Sequence, residues 1–284
     1  MQATRYERMF CRLREKGEGA FIPFVMLGDP DMETSRALLE SLVANGADAL
    51  ELGVGFSDAT ADGPVIQRAG QRALAAGAGL VACFELLKGV RARHPEVPLG
   101  LLVYSNLVVA RGLKTFYQEA AQAGVDSVLV ADLPVEASKP FAGAAEAAGV
   151  APVFVLPPNV EEATLGEIAQ RGRGYTYVLG RSGVTGAEKE MEAPLPSRFE
   201  ALKAAGAPPA VVGFGISTPQ HIRTALEAGA AGAICGSATV ALIEKYLHDK
   251  AAMHQALAAF TQQMKAATCQ PCSAAKDYPK SCQS

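Results

Sequence analysis

The sequence ALELGVGFSDATADGP, from Ala49 to Pro64, has the form of a buried strand, a loop and the start of a helix. Successive side chains of a strand point to opposite faces, so Leu50 and Leu52 share one face while Glu51 lies between small neighbours on the other. Proline suits the first position of a helix, so Pro64 predicts that a helix begins there. The stretch therefore predicts a β-loop-α unit with open space in front of a carboxylate.

Two carboxylates in this unit are candidates for chemistry, Glu51 on the strand and Asp62 in the loop. A carboxylate inside an apolar strand is costly to bury unless it is paired or used. One carboxylate at a strand end and another in the following loop suit proton transfer at a single pocket. The alternative is structural: a buried, hydrogen-bonded Glu51 and an Asp62 that caps a helix. The pattern alone leaves both interpretations open.

The same alternation of strand and helix runs through the chain, after a charged helix predicted at residues 4–16. It is typical of an α/β fold, the (β/α)8 or TIM barrel. An open doubly wound sheet is the second choice, because no GxGxxG motif follows the first strand. We expect one barrel domain over residues 1–267 and a flexible tail over residues 268–284. The predicted strands cover residues 19–26, 47–53, 98–104, 127–131, 152–156, 174–179, 209–213 and 231–235, with helices that include residues 115–123 and 136–148.

Composition narrows the class of protein. The chain has a net charge of −3 and no basic block, which argues against nucleic acid and charged membrane surfaces as partners. The N-terminus is charged throughout and no apolar run reaches the length of a membrane span, so we expect no signal sequence and a cytoplasmic location. Cys269 and Cys272 have CxxC spacing without a second half-site, so a loose tail is favoured over a zinc or redox site.

Glycines after two predicted strands indicate an anion site. Gly213–Ser217 follows strand seven, and Gly236 and Ser237 follow strand eight. Glycine lets the backbone approach an anion, and N–H groups at helix starts bind phosphate without lysine. Ser217 and Ser237 are expected to cap the following helices. Barrels often place phosphate sites on these two loops, and ordinary turn glycines are the alternative.

Other residues are expected at the mouth of the barrel. The small, polar loop at residues 180–187 resembles a mobile lid, or it has no role. Tyr175 and Tyr177 precede it on one strand face, so at least one is expected to point into the mouth. Apolar residues at strand ends could hold a flat hydrophobic ligand or could simply be core. These are Phe24, Leu102, Tyr104, Leu129, Val155 and Phe214.

Two absences limit the chemistry. No lysine falls at a predicted strand end, which argues against a Schiff-base aldolase. The four histidines fall on predicted helices or their ends, which argues against a histidine metal site. Cleavage of a carbon–carbon bond here would need carboxylates and a substrate that takes up the electrons itself.

The segment Leu50–Gly63 closely resembles the signature of the tryptophan synthase alpha chain family. The resemblance extends over about residues 4–267, and many motifs occur in the same order, which makes it specific. The further motifs are Phe21–Phe24, Gly28–Pro30, Tyr104–Asn106, Val128–Asp132, Gly172–Tyr177, Gly183–Gly186, Gly213–Ser217 and Met264–Ala267.

The resemblance implies retro-aldol cleavage of indole-3-glycerol phosphate to indole and glyceraldehyde 3-phosphate in L-tryptophan biosynthesis. It implies Glu51 as general acid and base, Asp62 at the indole N–H, and Tyr177 as the residue that orients Glu51 or the glycerol chain. It also implies that Thr185 lets the lid close onto Asp62. Substrate-binding residues would be Phe24, Leu102, Tyr104, Leu129, Thr185, Gly186, Gly213, Phe214, Gly215, Gly236 and Ser237.

The resemblance further implies a partner, the tryptophan synthase beta chain, in an α2β2 heterotetramer. Pyridoxal phosphate is expected only on that partner, with no cofactor and no metal on this chain. The family usually has proline where this chain has Gly55 and Ala59, and often leucine at Thr60, in the loop that contacts the beta chain. A more flexible, less apolar loop keeps two alternatives open: a stand-alone lyase that releases indole, and a weakly catalytic subunit that activates the beta chain.

Overall fold

Eight parallel strands close into a barrel in chain order, β1 to β8, in a computed structural model that describes residues 3–157, 160–180 and 196–269. Each strand pairs with the next, and β1 pairs with β8 through Ala20 and Gly232. The predicted TIM barrel is therefore confirmed. The strands are β1 Ala20–Met26, β2 Leu50–Gly53, β3 Leu99–Val103, β4 Ser127–Val130, β5 Ala151–Leu156, β6 Thr176–Leu179, β7 Ala210–Gly213 and β8 Gly232–Cys235.

Helices surround this barrel over the described residues, and one short 3₁₀ turn, Val135–Ala137, precedes α7. Two helix predictions need correction. The segment Ser105–Arg111 is helical and was not predicted, and the helix predicted from residue 136 begins only at Lys139, after the 3₁₀ turn. The helices are α1 Arg5–Glu15, α2 Met32–Ala44, α3 Pro64–Ala75, α4 Leu80–Arg93, α5 Ser105–Arg111, α6 Leu113–Gln122, α7 Lys139–Ala147, α8 Glu162–Arg171, α9 Pro196–Ala204, α10 Pro219–Glu227, α11 Ser237–Lys245 and α12 Lys250–Ala266.

The register of β2 explains how a glutamate fits inside the barrel. Glu51 lies opposite Phe24 of β1 and Gly100 of β3. Leu50 and Leu52 are fully buried and alternate with Glu51, so they face the surrounding helices. The missing side chain at Gly100 leaves room for the hydroxyls of Tyr6 and Ser127, since a Cβ there would lie 2.9 Å from each.

The N-terminal helix α1 packs against the amino ends of the strands. Its Tyr6 is buried, and its hydroxyl lies 2.9 Å from the Ser127 hydroxyl at the start of β4. The Tyr6 ring lies 5.4 Å from that of Tyr175, just before β6. This helix therefore closes the end of the barrel opposite the carboxyl ends of the strands.

The C-terminal part of the described chain contacts the segment between α1 and β1. Gly19 N–H donates to the Thr268 carbonyl at 2.9 Å, and Cys269 forms an isolated bridge with Glu18. Packing thus continues two residues past the expected domain end at 267, and residues 270–284 of the expected tail lie outside the described residues.

No single helix in the described ranges is long and apolar enough to cross a membrane. Helices α3 and α4 together reach the required length and composition, but they are bent by 95° where they meet.

Candidate active site

A pocket opens at the carboxyl ends of the strands, with an empty volume of about 470 Å³ that includes open solvent. Nine predicted site residues line it. They are Phe24, Glu51, Asp62, Leu102, Tyr177, Phe214, Gly215, Gly236 and Ser237. The wall also contains Ile216 and Ser217, from the loop predicted to bind an anion, and three residues that were not predicted: Ile66, Ile234 and Ala238.

The other predicted residues are distributed differently. Tyr104, Leu129 and Gly213 are not part of this wall, although Tyr104 and Gly213 touch residues that are. Thr185 and Gly186 lie outside the described residues. Two of the residues that were not predicted could have been found from the sequence. Ile234 is on the inward face of β8 by alternation, and Ile66 lies in the first turn of the helix that begins at Pro64.

Glu51 is buried in the floor of the pocket, with only 2% of its surface exposed. Its Oε1 accepts a hydrogen bond of 2.9 Å from the Tyr175 hydroxyl. Burial raises the pKa of Glu51 from 4.5 to about 8, against the lowering effect of the Tyr175 bond and with a further raise from the charge of Asp62. Glu51 therefore holds its proton at neutral pH inside the pocket.

Asp62 lies nearer the opening, at the end of the loop that leads to α3. It is 7% exposed, and its Oδ2 accepts a hydrogen bond of 3.0 Å from the Tyr104 hydroxyl. Burial raises the pKa of Asp62 to about 6, and the Tyr104 bond opposes that rise. Asp62 is therefore mostly a carboxylate at pH 7.

Tyr104 holds the loop rather than forming part of the pocket wall. Its hydroxyl accepts from the Ala61 N–H at 3.1 Å while it donates to Asp62. The Phe56 ring stacks on the Tyr104 ring, with centroids 5.3 Å apart. These contacts fix Asp62 from behind, which the sequence did not predict.

The tyrosine that donates a hydrogen bond to Glu51 is Tyr175. The family resemblance had implied Tyr177 as the residue that orients Glu51 or the glycerol chain. Tyr177 lies against the backbone of Gly213: a Cβ there would be 2.0 Å from the Tyr177 hydroxyl oxygen. Its ring also packs edge-on against Phe214, with centroids 6.0 Å apart. Tyr177 therefore shapes the wall, and Gly213 is required beneath it.

The loops after β7 and β8 provide backbone N–H groups at one side of the pocket. Helix α11 begins at Ser237, directly after Gly236, and both residues line the wall. No lysine or arginine is part of the described wall. An anion at this side would therefore be held by backbone N–H groups and the positive end of a helix dipole.

The predicted caps at these loops are wrong. Thr218, not Ser217, caps α10, accepting from the His221 N–H at 3.3 Å. Ser237 is the first residue of α11 and makes no capping hydrogen bond with its side chain. Pro219 at the first helical position would have identified Thr218, because the cap is the residue just before it.

The site contains no evident metal centre: among the described residues, no group of three His, Cys, Asp or Glu side chains is arranged to hold an ion. The chemistry that the arrangement allows is proton transfer by two carboxylates of different acidity, next to glycine-rich loops and apolar walls. This arrangement suits a small anionic substrate with a flat apolar part.

Comparison with known proteins agrees with this geometry. The family model of the tryptophan synthase alpha chain matches residues 10–269. The tryptophan synthase alpha chain of Shewanella oneidensis is 54% identical over 267 residues, which cover 94% of this chain and 96% of the relative. That of Escherichia coli is 53% identical over 264 residues, covering 93% and 98%.

Solved structures give the same result. Tryptophan synthase subunit alpha from Legionella pneumophila superposes with a TM-score of 0.85 at 31% identity, over 94% of this chain and 99% of that one. A chain of the tryptophan synthase α2β2 complex from Pyrococcus furiosus superposes with a TM-score of 0.79 at 34% identity, over 87% and 98%. With sequence, fold and pocket in agreement, the chain belongs to the tryptophan synthase alpha chain family.

Proposed function

We propose that Glu51 and Asp62 carry out the lyase reaction of this family in this chain, the cleavage of indole-3-glycerol phosphate to indole and glyceraldehyde 3-phosphate. The observation that carries the proposal is a buried glutamate with a pKa raised to about 8, in a pocket with a second, more acidic carboxylate. A reaction that begins with protonation needs an acid that keeps its proton near neutral pH. Burial of Glu51 meets that requirement.

Glu51 serves as acid and then as base. Its carboxyl group gives a proton to C3 of the indole ring, which makes an iminium-like ring that can accept an electron pair. The Glu51 carboxylate then takes the proton from the hydroxyl next to the ring, the bond between the ring and the side chain breaks, and its electrons return to the ring. One proton leaves Glu51 and one returns, so the residue ends the cycle in its starting state.

Asp62 stabilises the charge that develops on the ring. As a carboxylate at pH 7 it faces the indole N–H, where positive charge appears after protonation at C3. Tyr104 holds it there through the 3.0 Å hydrogen bond. The different depths of the two carboxylates in the pocket thus support their different roles.

The remaining walls suit the two ends of the substrate. The phosphate would bind to backbone N–H groups of Gly213, Gly215, Gly236 and Ser237, with Gly186 from the loop after β6. Tyr177 would contact the glycerol chain, and Thr185 would let that loop close onto Asp62. The indole ring would lie among Phe24, Leu102 and Phe214, which line the pocket.

The proposed steps use two carboxylates and the electron-accepting ring of the substrate, so they require no cofactor on this chain. Pyridoxal phosphate would be confined to a beta chain partner. We also propose a cytoplasmic location, because Cys83 and Cys235 are buried thiols without a disulfide, as is typical of a reducing compartment.

An α2β2 complex with a tryptophan synthase beta chain is the proposed assembly. Support comes from the similarity to a chain of the Pyrococcus furiosus tryptophan synthase α2β2 complex, which shows mutual activation. The loop at Gly55 is less open than its composition suggests: a Cβ there would lie 3.0 Å from Leu74 Cγ and 3.1 Å from the Gly70 carbonyl oxygen. Glycine therefore lets the loop lie close to α3 at this position.

Indole release tests the function. The isolated chain is given indole-3-glycerol phosphate, and indole is measured with and without the beta chain of the same organism. We expect slow release alone and strong stimulation by the beta chain. High activity without the partner would favour the stand-alone lyase, and no cleavage in either condition would refute the catalytic proposal and favour a subunit that only activates the beta chain.

A further inference from the structure

The turn that carries Gly215 is strained and must be held in place. Phe214 has a φ of 63°, which side chains other than glycine rarely adopt, and Gly215 follows with a φ of 80°. Such a backbone persists only where surrounding contacts determine it. The contacts around this turn therefore set the direction of the N–H groups that line the pocket.

Two hydrogen bonds hold the turn at residues before Ser217. Gly180 N–H donates to the Gly213 carbonyl at 2.7 Å, and the buried Cys235 thiol donates to the Ile216 carbonyl at 3.1 Å. Neither contact is made to Ser217, which is the last residue of the turn and part of the pocket wall.

His221 makes the contact to Ser217 from outside the pocket. Its Nδ1 lies 3.3 Å from both the backbone nitrogen and the hydroxyl oxygen of Ser217. A backbone N–H can only donate, so Nδ1 is the accepting nitrogen and the ring proton is on Nε2.

The position of His221 in α10 explains why its ring can turn back. His221 is the third residue of this helix, and its own N–H donates to the Thr218 hydroxyl. In a capping box the third residue also reaches back to the chain before the helix. Here the ring reaches one residue further than usual, to Ser217, and so ties the pocket turn to the helix.

We propose that His221 is a positioning residue for the phosphate group of the substrate. It fixes Ser217 and so preorganises the Gly213–Ser217 turn as an anion cradle, an inference that rests on the proposed phosphate site. A turn that is already fixed loses less conformational freedom when the anion binds. Because His221 is half-buried and outside the described pocket wall, it acts through Ser217 and does not touch the substrate.

A pair of variants tests this role. His221→Leu keeps the bulk and removes the acceptor, whereas His221→Asn keeps an acceptor near the position of Nδ1. For the leucine variant we expect KM for indole-3-glycerol phosphate, and Ki for inorganic phosphate as competitor, to rise about threefold to tenfold from the loss of one hydrogen bond. We expect kcat to change little, and the asparagine variant to stay near wild type in both constants.

Free indole provides the control ligand, because it lacks the phosphate, and its inhibition constant is expected to be equal in all three proteins. Wild-type cleavage in the same assay tests the proposed function independently of His221. An unchanged phosphate Ki in the leucine variant would overturn the inference. A tighter Ki would also overturn it, because the Ser217 N–H would then be a phosphate ligand that His221 withholds. If KM rose while kcat and thermal stability fell, and asparagine restored none of them, the role would be structural and the inference wrong.

Discussion

Replacing Glu51 by glutamine is expected to remove cleavage and, at the same time, to stabilise the protein above pH 5. Glutamine has the shape of a protonated glutamic acid, so its Oε1 can still accept from Tyr175 at the 2.9 Å position. It cannot release a proton, and loss of a general acid and base lowers kcat by at least about 100-fold. The gain in stability arises because glutamine does not ionise in either state. Wild type loses stability when its unfolded chain releases a proton that the folded protein keeps, and the variant does not.

The magnitude follows from the pKa of Glu51, which is 4.5 without burial and about 8 in the folded protein. Below pH 4.5 both states hold the proton and the residue has no effect. As pH rises, the unfolded chain loses the proton while the folded chain keeps it, so wild-type stability falls until the pH passes about 8. At about 1.4 kcal/mol for each pKa unit, the loss is about 3 kcal/mol by pH 7, and the variant escapes it.

Urea unfolding followed by circular dichroism measures this effect at several pH values from 4 to 9. The free energy of unfolding of Glu51→Gln minus that of wild type should be near zero at pH 4 and should rise steadily to pH 8. Glu15→Gln is the matched control, because Glu15 is exposed at the end of α1 and should give a flat difference. Parallel pH curves for wild type and Glu51→Gln would refute the idea that burial keeps Glu51 protonated.

Four further outcomes are expected. The pH profile of kcat/KM should rise through about 6, where Asp62 ionises, and fall through about 8, where Glu51 loses its proton. In Tyr175→Phe the falling limb should move to higher pH in the same assay, because the lost hydrogen bond had lowered the Glu51 pKa. Addition of a beta chain should move the rising limb more than the falling one, because Asp62 lies on a loop and Glu51 within a strand. Arg72→Met should lower the free energy of unfolding by about 3–5 kcal/mol, since it leaves the buried Asp29 carboxylate without the guanidinium that donates two hydrogen bonds to it, whereas Arg68→Met, at an exposed ion pair, should leave stability nearly unchanged.

Local patterns were sufficient for the barrel and for the direction of Glu51. The alternation of Leu50, Glu51 and Leu52 places the carboxylate inward whatever the neighbouring strands are, because the side-chain period of a strand is two residues. The glycines of the Gly213–Ser217 turn predicted a loop at the mouth of the barrel, and Gly215 does line the pocket. Both predictions depend only on residues close together in sequence.

Predictions that needed distances across the barrel were less successful. Tyr175 and Tyr177 share a strand face and differ by about 7 Å along it. Which of them meets Glu51 depends on the stagger between β2 and β6, which are not neighbours. Tyr104 was expected among the substrate-binding residues, but its hydroxyl donates to Asp62, and Tyr104 is not part of the pocket wall. Neither the stagger nor the path of the loop before α3, which carries Asp62, has a local sequence signal.

The short helix α5 was missed for a different reason. It spans only Ser105–Arg111 and ends at Gly112, whose φ of 82° breaks the backbone direction before α6. Two turns are too short for a clear hydrophobic period, so the sequence showed only the longer helix after it.

The residues that least favour folding are therefore the ones that define the site. A glutamate buried in the floor of a barrel and a phenylalanine in a left-handed conformation each reduce stability. Their neighbours help to hold them: the Tyr175 hydroxyl donates a hydrogen bond to Glu51, and Gly215 continues the left-handed turn after Phe214. Because the same burial that destabilises Glu51 also keeps its proton in place at neutral pH, a variant that relieved the strain of the fold at this position would remove the acid on which cleavage depends.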